Sequence, residues 1–489
     1  MTVPDVLPAH GVPAETILAE LRQLRAADLP THGGRLFAYV YDPGLAGLDA
    51  LAASAHALSA HVNGLDPTAF PSLLATENAL VGAAARVLGG GPSTVGNVTS
   101  GGTESLILAV KAARDARPDI AAPRIVVPTT AHAAFAKAAS YLRVALDVVP
   151  VPPGTFRPSP ADIAAAIGPD TVLVACSAPS YAHGVIDPVE EIAAVAAAAG
   201  VRCHVDACFG GWALPFLREA GGAVPAFDLS VPGVTSISVD LHKYAYAPKG
   251  VSVLLHRDAA LRAPQYFAWA DWPGYTMVNP TISSTRSGGP IAAAYATLRH
   301  IGHAGYVNLA RATAESVAAL AEAVSTVDGL RLLAPADTTV VVFTSDDPGL
   351  DLFVLVDELT ARGWHTQPQL TYAQPDGTVL PRSVHLTVTA SVAPRVAEFG
   401  PALKEAADAA RTLVAVAVPA PLLATLGALD PTELTLDAVA ALAAALGLLA
   451  DAGALPERMA LVNTLLDAAP PRLREALLTA FLGLLQRPG

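Results

Sequence analysis

An α/β fold with a mostly parallel sheet is predicted from Phe70 to about Arg257, on two observations. Short β-branched runs alternate there with helical ones, and the helical runs are long enough to cross between neighbouring parallel strands. Ile125-Val-Val, Leu146 to Val151, Thr171 to Ala175, Arg202 to Val205 and Thr235 to Val239 read as strands. Glu104 to Ala116, Ala131 to Leu142 and Val189 to Ala199 read as the helices between them. In such a sheet catalytic groups belong on the loops at the carboxyl ends of the strands.

The rest of the chain divides around that unit. Residues 1–65 read as an N-terminal arm followed by helix, and residues 66–300 as the large domain. Residues 301–415 have longer helices, with Val340 to Thr344 and Ser383 to Thr389 as strands of a smaller α+β domain. Residues 416–489 are Ala/Leu-rich, with breaks at Pro431, Gly447, Pro456 and Pro470. They are expected to form an appended helical segment that covers an apolar surface.

Composition narrows the function classes. With 489 residues the chain is too long for one simple domain, and 52% of it is apolar against 15% charged. Ordinary domains carry roughly a quarter charged residues, so an oligomer or a large apolar interface is expected. A net charge of −13 without a basic run argues against a nucleic-acid partner. Cys176, Cys203 and Cys208 lie in or beside apolar runs without metal-ligand spacing, and read as buried reduced thiols. Met1 to Arg22 lacks the apolar core of a signal peptide, and no run of about 18 apolar residues is present to span a bilayer. A cytoplasmic protein without a transmembrane segment is expected.

Four short segments carry chemistry. Thr99-Ser-Gly-Gly-Thr-Glu-Ser105 precedes a helix, so two glycines and free helical amides make a phosphate cradle, with Ser100 and Thr103 hydroxyls as further donors. His132 opens a helix after a strand, where an imidazole caps the helix or lies on a cofactor ring. Asp206, in His204-Val-Asp-Ala-Cys-Phe-Gly-Gly211, ends a strand; there it is either a helix N-cap or the partner of a pyridinium nitrogen. Lys243, in Ser238-Val-Asp-Leu-His-Lys-Tyr-Ala-Tyr-Ala-Pro-Lys-Gly250, can form a Schiff base with an aldehyde once its ammonium loses a proton. Occurring together in this order, these are the parts of a pyridoxal 5'-phosphate site.

With these segments, Ser177-Ala-Pro-Ser-Tyr-Ala-His-Gly-Val-Ile-Asp187 and Asn279-Pro-Thr-Ile-Ser-Ser-Thr-Arg-Ser-Gly-Gly289, the chain resembles the pyridoxal-phosphate-dependent group II decarboxylase family. Within it the chain looks most like the sphingosine-1-phosphate lyase branch, over roughly residues 30 to 415. The resemblance implies the aspartate aminotransferase fold type I, with a mostly parallel seven-stranded sheet. It implies that Lys243 holds the cofactor, Asp206 pairs with its ring nitrogen and His132 stacks on the ring. Gly102, Thr103 and His242 would serve the phosphate, with Ser238 also among the cofactor-binding residues. Thr285 would reach that phosphate from the neighbouring subunit, which implies a homodimer with shared active sites. Tyr41, Tyr246 and Lys249 match positions near the reacting carbon and are candidate proton donors or acceptors.

Two departures bear on the substrate. Asp66 stands where the lyase branch has a histidine, and a carboxylate repels a substrate phosphate. Gly34 to Tyr41 is also altered, and the membrane anchor of the eukaryotic enzymes is absent. A carbon–carbon lyase acting on an amine, such as a phosphorylated long-chain amino alcohol, is the favoured reading. The alternative is an amino-acid decarboxylase of the same superfamily, with Arg382 as candidate holder of the substrate carboxylate. A catalytically silent scaffold is least favoured, because Lys243, Asp206 and His132 are all present.

Overall fold

The computed structural model describes residues 6–413, 416–418, 429–431, 435–437, 440 and 456–486. The helical reading of residues 419–428 and 441–455, and the break at Gly447, lie outside the described residues.

α1 (Ala14–Leu24), α2 (Leu48–Ser59) and α3 (Pro71–Val87) precede a seven-stranded sheet. Its strands are β1 (Val95–Thr99), β2 (Arg124–Pro128), β3 (Ala145–Val149), β4 (Thr171–Ser177), β5 (Arg202–Asp206), β6 (Val234–Asp240) and β7 (Ser252–His256). Their order across the sheet is β1-β7-β6-β5-β4-β2-β3. Between them run α4 (Gly102–Asp115), α5 (Ala134–Leu142), α6 (Pro160–Ala166), α7 (Val189–Ala198) and α8 (Ala213–Glu219). The contacts from β6 through β5, β4 and β2 to β3 are parallel, and β7 is antiparallel to both β1 and β6. β1 therefore points the same way as β6, and the carboxyl ends of β1, β2, β4, β5 and β6 share one edge.

Both faces of the sheet are covered. Ile125 and Val127 of β2 pack with Leu106, Val110 and Phe135 of α4 and α5. Val126 faces the other way, into a cluster with Leu80 of α3, Ile163 of α6, Ile192 of α7 and Leu214 of α8. This double covering explains why β4 is buried at all seven positions and reads as a continuous apolar run. Each such Val, Ile or Leu contributes about 1.5–3 kcal/mol by its burial. β1 and β7 are the strands that the residue pattern did not single out. A Cβ on Gly96 of β1 would lie 2.5 Å from the Leu254 carbonyl oxygen of β7, so close backbone approach requires a residue of poor strand propensity.

After α9 (Ala259–Arg262), a hairpin of β8 (Phe267–Trp269) and β9 (Met277–Asn279) leads to α10 (Gly288–Ser325). α10 bends at Gly302, whose φ is +64°, and runs from the large unit into the smaller one. The smaller sheet pairs β10 (Leu330–Leu332), β11 (Val340–Ser345), β12 (Gln367–Gln369) and β15 (Ser383–Thr387) in the order β10-β11-β15-β12, all antiparallel. β13 (Tyr372–Ala373) and β14 (Val379–Leu380) form a separate hairpin, and α11 (Leu352–Ala361) and α12 (Val396–Thr412) complete the unit. Phe37 of the N-terminal arm is fully buried here, with ring centroids 5.8 Å from Trp364 and 5.4 Å from Phe399.

The described part of the appended segment is α13 (Ala460–Ala468) and α14 (Pro471–Leu485). Polar groups fix it to the small unit. Asp357 on α11 accepts hydrogen bonds from the Met459 and Ala460 amides at 2.8 and 3.0 Å, capping α13 from a different helix. Asp467 accepts from the Thr371 amide, the Thr371 hydroxyl and Arg382 Nε at 2.7, 2.8 and 2.6 Å. Arg382 thus holds the appended segment, with its guanidinium also over the Phe353 ring at 4.6 Å. It is not free to receive a substrate carboxylate, and that expectation is corrected.

Asp467→Ala leaves the Arg382 guanidinium and the Thr371 donors without their acceptor, at a cost of about 3 kcal/mol. We expect faster amide exchange across residues 456–486 and a lower melting temperature, measured by hydrogen–deuterium exchange and thermal unfolding. Unchanged exchange would show that the apolar contacts alone hold the segment.

Candidate active site

The shared carboxyl edge of the sheet opens into a cleft of about 220 Å³. It is lined by Tyr39, Tyr41, His132, Ser177, Pro179, Tyr181, Asp206, Cys208, Phe209, Lys243 and Lys249. A larger cavity of about 880 Å³ is a different place, lined by Asp66, Ser284 and Arg286 among others and by none of the cleft residues.

Lys243 follows β6 in a tight turn, and its Nζ lies 2.9 Å from Asp240 Oδ2. Burial works to lower the pKa of this ammonium, but the negative charge of Asp240, aided by Cys208 and Asp206, wins and pushes it up to about 12. Asp240 is 2% exposed, accepts from the Ser252 hydroxyl at 2.6 Å and has His242 Nε2 at 3.4 Å. Its own burial opposes ionisation, yet Lys243 and His242 hold its carboxyl below the ordinary range. Nothing in the sequence reading singled out Asp240. The available signal was period 2, because Ser236, Ser238 and Asp240 put polar groups on one face of an otherwise apolar buried strand.

Asp206 ends β5 at 7% exposure, and its Oδ1 accepts from the Cys208 amide at 3.1 Å. His132 lies just before α5, where its Nδ1 accepts from the Ala134 amide at 3.1 Å while the ring lines the cleft. The cap and the cleft-facing reading thus coexist in one side chain, and the cap bond fixes the ring orientation. Ser238 is fully buried behind the cleft, with Cys208 Sγ and His204 Nε2 each 3.2 Å from its hydroxyl. Burial lowers the pKa of His204 to about 3, so that ring is neutral.

The turn before α4 is shaped as a cradle. Ser105 makes the first helical bond, to the Gly101 carbonyl, so the Gly102, Thr103 and Glu104 amides precede the ladder. A Cβ on Gly102 would stand 2.8 Å from Cys208 Sγ and 2.9 Å from Asp240 Oδ1, which only glycine avoids. His242 donates its Nδ1 proton to the Val251 carbonyl at 2.9 Å, and its Cε1 lies 3.7 Å from where a Cβ on Gly101 would sit. It is therefore set beside the cradle. The Ser100 hydroxyl is not available as a donor as the sequence reading expected, because it donates to Glu104 Oε2 at 2.8 Å.

The cradle residues Ser100, Gly102, Thr103 and His242, and the buried Ser238, border the cleft without lining it, and three further positions lie apart from it. Tyr246 has a φ of +60°, turns away from Lys243 and packs with Trp212, Tyr244, Tyr306 and Thr313. Thr285 is exposed on the loop before α10. Asp66 is exposed in the larger cavity, where Thr68 donates to it through hydroxyl and amide at 2.6 and 2.8 Å and holds its carboxyl below the ordinary range. Tyr181 and Phe209, which the sequence reading did not name, wall the cleft, with the Lys243 ammonium 5.8 Å from the Phe209 ring centre.

Comparison with known proteins gives the family and the fold. A family model described as the pyridoxal-dependent decarboxylase conserved domain matches residues 2–345. A second model, for an HTH domain proposed at the C-terminus of pyridoxal-dependent enzymes, matches residues 420–484. The chain is 36% identical over 389 residues to the sphingosine-1-phosphate lyase of Dictyostelium discoideum, covering 79% of this chain and 71% of that protein. It is 36% identical over 417 residues to the Arabidopsis thaliana sphingosine-1-phosphate lyase, covering 83% and 74%. Among solved structures, a Burkholderia pseudomallei sphingosine-1-phosphate lyase superposes with a TM-score of 0.76 at 35% identity, covering 83% of this chain and 93% of that one. The Lactobacillus brevis glutamate decarboxylase shares the fold, with a TM-score of 0.74 at 19% identity.

Asp240→Asn should release Lys243 from its high pKa and raise the neutral amine at pH 8 about tenfold per unit of fall. Faster trapping of a small aldehyde on Lys243 by borohydride, read by peptide mass spectrometry, is the expected outcome. An unchanged rate would mean that Asp240 does not hold the ammonium.

Proposed function

The chain belongs to the pyridoxal-dependent decarboxylase family and is a pyridoxal-phosphate-dependent lyase, and on that premise we propose that it cleaves the Cα–Cβ bond of a phosphorylated long-chain amino alcohol. The observation that carries this reading is Lys249, a second lysine in the cleft. Its Nζ lies 5.1 Å from the centre of the Tyr41 ring. Burial, and then the neighbouring Lys243 charge, lower its pKa, which shifts this amine toward the form that can take a proton.

The residues present fit the cofactor. Lys243 is the amine that would hold it, Asp206 the carboxylate for its ring nitrogen and His132 the imidazole against its ring. The Gly102 and Thr103 amides, which precede the helical hydrogen-bond ladder, and His242 beside them suit its phosphate. When bound, pyridoxal phosphate supplies an electrophilic carbon for the substrate amine and a ring that takes up the electron pair of the broken bond. Lys249 Nζ accepts the proton of the Cβ hydroxyl, so that Cβ leaves as an aldehyde carbon. Tyr41 stays a phenol, since burial, then Tyr181 and Asp240, raise its pKa well above the usual value; it can orient that hydroxyl but not deprotonate it. Tyr181 and Phe209 wall off water, and Tyr246 acts from behind, as a support of the Lys243 turn.

A cytoplasmic homodimer belongs to the same reading. Thr285 is exposed and outside its own cleft, so a role at a cofactor phosphate is one it can play only in a second copy. Phe267, Trp269, Trp272, Tyr275, Val278 and Ile282 leave an apolar strip exposed beside it, which supports a partner there. Among the described residues no helix is long and apolar enough to cross a membrane, and the three cysteines are free and buried.

Incubation with a long-chain amino alcohol phosphate should yield a long-chain aldehyde and an amino-alcohol phosphate, identified by mass spectrometry. Release of carbon dioxide from an amino acid, with no aldehyde, would replace this reading by the decarboxylase one. Lys249→Met should lower kcat about 100-fold while borohydride still fixes the cofactor on Lys243. A loss of fixation instead would make Lys249 a cofactor residue.

A further inference from the structure

The loop before α10, which carries Thr285, is tied to the phosphate turn by two carboxylates. Glu104, 8% exposed on α4, uses Oε2 to accept from the Ser100 amide and hydroxyl at 2.6 and 2.8 Å. Its Oε1 accepts from the Ile282 amide at 2.8 Å. Glu77, 5% exposed on α3, accepts from the Val98 amide at 3.0 Å and from both terminal nitrogens of Arg286 at 2.7 and 2.9 Å. Arg286 also donates to the Val98 carbonyl at 3.1 Å. Residues 281–286 are thus fastened at one end by Glu104 and at the other by Glu77, and both fastenings run to the strand and turn that form the cradle.

Each carboxylate is buried and has both oxygens engaged in these bonds. A buried carboxylate whose acceptors all serve backbone positioning transmits displacement, because loss of one bond leaves a charged oxygen unpaired. Ile282 is 62% exposed within the apolar strip, so the outer side of the same loop is the surface a second copy would cover.

We propose that Glu104 is a positioning residue that couples the cofactor sites of the two subunits: it locks the phosphate turn of its own chain to the 281–286 loop, whose Thr285 serves the neighbouring site. The inference rests on the homodimer reading given above. By linkage, a subunit whose turn is ordered presents an ordered loop to its partner, and an ordered partner site favours the turn in return.

Hybrid dimers test this. One chain carries Lys243→Ala, so borohydride can fix pyridoxal phosphate only on the other, wild-type Lys243. Glu104→Gln is then added to the Lys243→Ala chain alone, which replaces one acceptor oxygen by a donor amide. After dilution into cofactor-free buffer, fixable cofactor should leave the wild-type site at least fivefold faster than from the control hybrid. Ile282→Pro in the same chain removes the loop-side donor while leaving Glu104 in place; with the hybrid shown to stay dimeric, it should act in the same direction, even if Glu104→Gln perturbs folding. Release within twofold of the control for both variants overturns the coupling. A chain that remains monomeric by analytical ultracentrifugation overturns the homodimer reading, and the coupling with it; particle size tells that failure from the first.

Discussion

The Lys243 ammonium and the Asp240 carboxylate stand 2.9 Å apart at the carboxyl end of β6, with Asp240 almost wholly buried. Removing either partner would strand the other charge in a low-dielectric interior, at a cost of several kcal/mol. The surroundings are therefore built to satisfy the pair. Ser252 sits opposite Asp240 in the register of β6 and β7, and its hydroxyl supplies a further hydrogen bond. The strand that brings this donor is β7, the one antiparallel strand between β1 and β6 in an otherwise parallel sheet. Gly102 must lack a Cβ for the same reason, since Asp240 and Cys208 take up the space.

The N-terminal arm completes the cleft by a packing constraint of a different kind. Phe37 is locked between Trp364 and Phe399 of the small unit, which pulls the following residues across the cleft mouth. Tyr39 then takes a φ of +65°, a strained conformation for a bulky residue, with its hydroxyl bonded to Gln367 at 2.6 Å. Tyr41, two residues on, meets Tyr244 and Phe209 edge to face. Strain at Tyr39 is thus offset by burial at Phe37, and two tyrosines reach the cleft from a segment without regular structure of its own.

Much of this was legible in the sequence, and what escaped shares a physical reason. β4 showed itself because a strand covered on both faces is apolar throughout, and β2, β3, β5 and β6 through their short β-branched and apolar runs. β1 escaped because close approach to β7 demands Gly96. Lys243, Asp206 and His132 were readable because each stands at a strand end beside small residues. Asp240, Glu104 and Glu77 were not, since the importance of a buried carboxylate lies in its partners. For Glu104 and Glu77 these lie 178 and 209 residues away along the chain. Ser100 was misread for a local reason: a hydroxyl four residues before a glutamate at a helix start is captured by that glutamate. Tyr246 was misplaced by its positive φ, which spacing from Lys243 does not reveal.

Bond choice in this superfamily turns on which substrate group the protein grips. A carboxylate is best gripped by the planar fork of a guanidinium, which gives two parallel hydrogen bonds and never loses its charge. Among the described residues no arginine lines the cleft. Arg382 is committed to Asp467, and Arg286 to Glu77 and Val98. The second lysine in the cleft beside Lys243 is Lys249, whose pKa burial and the Lys243 charge lower. A site that commits Arg382 and Arg286 to architecture and places Lys249 beside Tyr41 offers a substrate an amine that can exchange a proton with a hydroxyl, and no guanidinium fork for a carboxylate.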